Sequence, residues 1–167
     1  MVDFLIISTR LNKNGSTEIY PRFRLYPKSK DLMIRGGDFY AIWMEELGLW
    51  STDEQDALHL IDRELDNYAN ANTEKYGGNV RVLHMWDSDS GMIDAWHKYC
   101  QKQMRENYHM LDEKLIFSND GTNKKDYASK RLNYPLVEGD ISAYDKIIST
   151  LYSEEERHKI EWAIGAI

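Results

Sequence analysis

Apolar positions in the chain follow two periods, and the switches between them outline the predicted elements. The apolar run at residues 4–8 reads as a short buried strand. Residues 17–26 alternate: Ile19, Pro21, Phe23 and Leu25 fall on one side, and Tyr20, Arg22, Arg24 and Tyr26 on the other. That is the period of a half-buried strand, and Pro21, which has no N–H to give a second neighbour, predicts an edge position. Gly36 and Gly37 break the chain. Residues 39–43 and 47–50 read as two aromatic-rich strands around a tight turn. Ser51 and Glu54, three residues apart, open a helix in capping-box fashion, and Ala57, Leu58, Ile61, Leu65 and Tyr68 form its apolar stripe.

Beyond that helix the polar stretch 69–79, ending in Gly77 and Gly78, reads as a loop, and residues 80–85 as a strand. A second amphipathic helix is predicted from Ser90 to about Tyr108, carrying Ile93, Trp96, Cys100 and Met104. Residues 114–118 suggest another short strand and 119–126 a turn-rich loop. Two helices close the chain, over 141–152 and 154–166. Ser153 and Glu156 cap the second, and Ile160, Ala163, Ile164 and Ile167 line one of its faces. The sum predicts an α+β fold: a small mixed or antiparallel sheet with packed helices over 1–135, then a helical segment over 136–167.

Composition narrows the picture. A chain of 167 residues with 42% apolar and 12% aromatic residues can build a real core. The net charge of −7 excludes a polycation that coats nucleic acid, so any DNA contact must come from a local basic patch. The single cysteine, Cys100, admits no intramolecular disulfide and no cysteine-rich zinc site. It falls on an apolar stripe, as a small buried hydrophobe does. The longest early apolar run is too short for a signal-peptide core or a membrane span, so a soluble, intracellular protein with no membrane partner is expected.

Candidate chemistry is sparse. Asp87 and Asp89 alternate after a predicted strand, as carboxylates that share Mg²⁺ or Mn²⁺ do in primases and nucleases. The ordinary alternative is that Asp87, Ser88 and Asp89 cap the following helix. The five histidines, His59, His84, His97, His109 and His158, match no zinc spacing, and no phosphate-binding loop occurs, so no metal, cofactor or ATPase activity is expected of this chain.

Two basic clusters are more informative. Between Arg22 and Arg35 lie five basic residues (Arg22, Arg24, Lys28, Lys30, Arg35) and one acid, Asp31. Alternation sets Tyr20, Arg22, Arg24 and Tyr26 on one face, mixing cations for phosphate with rings for bases. A second cluster, Lys124, Lys125, Lys130 and Arg131, surrounds Tyr127. A charged edge strand also prevents aggregation without any ligand.

Residues 39–54 and the helix after them resemble the aromatic hairpin and helix preceding the ATPase in phage and plasmid primase-helicases of superfamily III. Residues 111–119 and 125–136, continuing through 149–157 to the terminal Glu-Trp-Ala-Ile-Gly-Ala-Ile at 161–167, look like the region that tailed-phage helicases place directly before their ATPase. The resemblance implies the front part of an ATP-dependent replicative DNA helicase, with an ATPase domain following on the same polypeptide. It implies helices that pack as a collar and help the motor form a homo-oligomer, with Ile160, Ile164 and Ile167 at the interface. It transfers no catalytic residue. Three readings stay open: a non-catalytic helicase front end contacting DNA or a partner, a reduced metal-dependent primase or nuclease using Asp87 and Asp89, and a protein-interaction module.

Overall fold

The computed structural model describes residues 2–87, 91–102, 111 and 114–165. Among them are strands β1 (Leu5–Leu11), β2 (Thr17–Phe23), β3 (Leu32–Arg35), β4 (Asp38–Met44), β5 (Leu49–Ser51), β6 (Val80–Val82), β7 (Lys114–Ile116) and β8 (Ala128–Arg131). The helices are α1 (Glu54–Asn72), α2 (Met92–Lys102), α3 (Ser142–Leu151) and α4 (Glu154–Gly165). The fold is α+β, with a helical segment at the C-terminal end. It divides into two compact units, Met1–Tyr134 and Pro135–Ile167.

In the first unit β2 is the middle strand of a mixed sheet, antiparallel to β1 with Leu5 opposite Phe23, and parallel to β6 along Thr17–Ile19. The predicted edge position of Pro21 is therefore corrected. The Arg24 N–H donates to the Phe4 carbonyl at 2.8 Å, so even-numbered residues of β2 turn their backbone groups toward β1. Odd-numbered residues turn theirs toward β6, as the 2.8 Å bond from the Leu83 N–H to the Ile19 carbonyl shows. Pro21 lies just past the end of β6, where a missing donor leaves no ladder bond unmade.

Strands β3, β4 and β5 form an antiparallel meander. Its two faces go to different cores, because side chains alternate across a strand. Leu32, Ile34 and Ile42 join Phe4, Leu5, Ile19, Leu58, Ile61, Leu65, Met85 and Trp96 in the main core. Met33, Ala41, Trp43 and Trp50 form a smaller core with Leu111, flanked by Tyr40 and Tyr127. Trp96 joins the layers: its ring lies 5.9 Å from Phe4, 5.4 Å from Phe23 and 6.3 Å from Phe39, and its indole N–H donates to Glu54 at 2.7 Å.

The cap of α1 is Asp53, whose carboxylate accepts from the Gln55 N–H at 2.9 Å. Ser51 belongs to β5 and supports the cap from outside, accepting from the Asp53 N–H. The helix runs four residues into the predicted loop. Ala69 stays in the core, and the Asn72 and Thr73 side chains donate to the Tyr68 and Ala69 carbonyls at 2.8 and 2.7 Å, satisfying groups that a helix end leaves open. Strand β6 is shorter than predicted, and β3 and β8 lie in stretches to which the sequence pattern assigned no element. Residues 103–108 of the predicted second helix, Met104 included, lie outside the described residues.

In the second unit, Ser153 and Glu156 make the predicted capping box. Arg157 donates to Asp145 on α3 and to Glu161 on α4, both at 2.6 Å, and its guanidinium sits over the Tyr144 ring. No side chain among the described residues of this unit is buried: Ile141, Ile147, Leu151, Trp162 and Ile164 are all more than half exposed. Of the predicted terminal stripe, Ile160 is half-buried, Ala163 and Ile164 are exposed, and Ile167 lies outside the described residues. Among the described residues no helix is long and apolar enough to cross a membrane.

Candidate nucleic-acid interface

The first basic cluster is shared among three elements rather than gathered on one face. Tyr20 and Arg22 lie on β2, and Arg24 follows it, exposed, with its backbone bonded to Phe4. Tyr26, Lys28 and Lys30 occupy an exposed loop that Asp3 ties down, accepting from the Lys30 N–H at 2.7 Å and from the Ser29 hydroxyl. Arg35 sits on the second sheet, at the β3–β4 turn, with its guanidinium 6.0 Å from the Tyr40 ring centroid.

On the open face of the first sheet, Arg10 pairs with Glu18 at 2.6 Å and lies over the Tyr20 ring at 5.6 Å. One side of that ring is thus occupied by a cation. Glu18 is buried and also faces Arg81 at 3.8 Å. Hydrogen bonding from Asn12 and Arg10 holds its carboxyl below the usual glutamate value. Arg22 lies on the same face, opposite Ile6 across the ladder, and no carboxylate pairs with it among the described residues.

Where β6 ends, residues 20–25 border a groove of about 390 Å³ against one stripe of α2. Phe23 and Tyr99, 5.2 Å apart and stacked, form part of its floor, with Pro21, Leu25, Met92 and Ala95 along its walls. Among the described residues of the lining, Arg22, Lys98 and Lys102 carry the charge and no carboxylate occurs. Sequence reasoning missed Lys98 and Lys102. Their signal was the spacing of four residues that sets them on one helix face beside Met92 and Ala95.

The second cluster is engaged differently. Lys124 pairs with Asp31, and its carbonyl accepts from the Trp50 indole at 3.0 Å. Tyr127 stacks on Trp50 at 6.2 Å, with its backbone left-handed at φ 52°. Arg131 donates to the Leu47 carbonyl at 3.3 Å, and the Thr122 hydroxyl bonds to that of Gly48. Gly48 has φ 61°, and an added Cβ would meet the Thr122 hydroxyl at 3.2 Å, so both conformation and closeness require glycine. Lys125 and Lys130 are exposed.

The acidic candidates do not converge among the described residues. Asp87 faces Arg81 at 3.8 Å, Asp89 lies outside the described residues, and no group of three metal-ligating side chains occurs among those described. His84 contacts Asp66 at 2.8 Å, and His97 approaches Glu54 at 3.7 Å. Burial, with Glu54 and Asp38 nearby, pushes the Cys100 thiol up to about 12, so it carries almost no thiolate at neutral pH.

Comparison of the chain with known protein families, characterised proteins and solved structures gives no match.

Proposed function

We propose that the α+β unit binds single-stranded nucleic acid, as a non-catalytic front part of a phage-type replicative helicase. The observation that carries the binding reading is the cation-rimmed groove beside β2, whose described lining residues include three bases and no acid in a chain of net charge −7. Phosphodiesters are attracted to such a rim, and apolar and aromatic walls suit bases. The helicase context rests on the resemblance of residues 39–54 and 111–167 alone.

A labelled single-stranded oligonucleotide titrated at low and raised salt tests the reading. Binding should weaken steeply with salt, and Arg22→Glu with Arg24→Glu should weaken it further and flatten the slope by about one unit per lost phosphate contact. Unchanged binding in that double variant removes the assignment. A protein-interaction role is favoured for the second unit by one observation, its exposed apolar side chains at Ile141, Ile147, Leu151 and Trp162. Residues Ile160 and Ile164 would belong to the same surface.

A further inference from the structure

The groove between residues 20–25 and α2 has two kinds of wall, and each asks for a different part of a ligand. Its floor and sides are apolar or aromatic, with the Phe23 and Tyr99 rings stacked at 5.2 Å. The charges among its described lining residues are cationic and stand at the rim, since Arg22, Lys98 and Lys102 are all exposed. The volume, about 390 Å³, is at the small end of the roughly 300–1,000 Å³ range of ligand clefts. A duplex presents its phosphates outside and its bases stacked within, so it cannot place a base on this floor without opening. A single strand can.

We infer that the groove takes one unstacked base of a single strand, while Arg22, Lys98 and Lys102 hold the phosphates on either side of it. This rests on the nucleic-acid reading above and assigns it a strand preference and a position. Met92, Ala95, Lys98 and Lys102 recur at three- and four-residue steps, so one helix stripe supplies both apolar wall and cations. On the opposite wall, Pro21 has no N–H to present, and β2 itself runs here past the end of its β6 neighbour.

The test compares an oligothymidylate with an abasic strand of equal length and charge, using the whole chain. The wild type should prefer the base-bearing strand at least about fivefold, the lower end of what one stacked base contributes. Ala95→Trp, which fills the groove, should reduce that ratio toward one. Leu25→Ser removes a wall at a residue 39% exposed and should lower the ratio likewise if the tryptophan variant does not fold. Equal wild-type affinity for both strands overturns the groove assignment and leaves phosphate binding standing. Binding to neither strand overturns the nucleic-acid reading itself. Co-sedimentation with phosphatidylglycerol vesicles that Ala95→Trp abolishes would give the groove to an acyl chain, and would also overturn the inference.

Discussion

The two basic clusters look alike in the sequence, each a set of lysines and arginines around tyrosine, yet the fold uses them differently. Around Tyr127 the charged residues fasten a segment to the aromatic hairpin: Lys124 pairs with Asp31, and Arg131 caps the Leu47 carbonyl. Beside β2, Arg22 joins Lys98 and Lys102 from a distant helix at the mouth of an apolar groove. Local composition therefore marks where cations are, and tertiary contacts decide whether they are structural or open to a ligand.

The largest expected effect lies on the structural side of that comparison. Trp50 is 1% exposed, packs edge-on to Trp43, stacks on Tyr127 and donates to the Lys124 carbonyl. Trp50→Ala should cost about 3–5 kcal/mol in a urea unfolding experiment, as large-to-small core changes do. Arg22→Glu, an exposed change, should stay within about 0.5 kcal/mol of the wild type. A comparable loss in both variants would erase the distinction.

Lys124→Met should cost about 1 kcal/mol, the scale of a partly exposed pair, because it leaves the Asp31 carboxylate without its cation. Lys98→Ala with Lys102→Ala should leave the urea midpoint unchanged. The Cys100 thiol supplies a check on folding in every variant. With its pKa pushed up to about 12 and its side chain buried, it should resist alkylation near pH 8 until the protein unfolds. Rapid labelling of the native wild type would contradict its placement in the core.

The smallest effect concerns Glu18, which holds Arg10 over Tyr20. Its folded-state pKa is depressed, so its contribution to stability is in place above the ordinary value of 4.5 and is lost as pH falls through the lower folded value. The urea midpoint of Glu18→Gln should accordingly fall less between about pH 5 and pH 3 than that of the wild type. Parallel curves would show that this carboxylate does not titrate differently on folding.

Much of the fold was legible in the sequence because it depends on local periodicity. The stripe Ala57, Leu58, Ile61 and Leu65, the 39–50 hairpin and the Ser153–Glu156 box all follow from spacing alone. What escaped was tertiary. Pro21 reads as an edge residue until the short reach of β6 is known, and α1 reads as ending at Tyr68 until the Asn72 and Thr73 side chains cap its carbonyls. The candidate site was half legible. Tyr20 and Arg22 lie in an alternating run, whereas Lys98 and Lys102 sit far along the chain and meet them only through the packing of Trp96 on Phe23.

Backbone amide shift mapping during titration with an oligothymidylate tests the central claim most directly, because it reports where a strand sits. Perturbations centred on residues 20–25 and 92–102, with the hairpin and residues 124–131 quiet, are the predicted result. Shifts confined to residues 124–131 or to the second unit, or none at all, would contradict it.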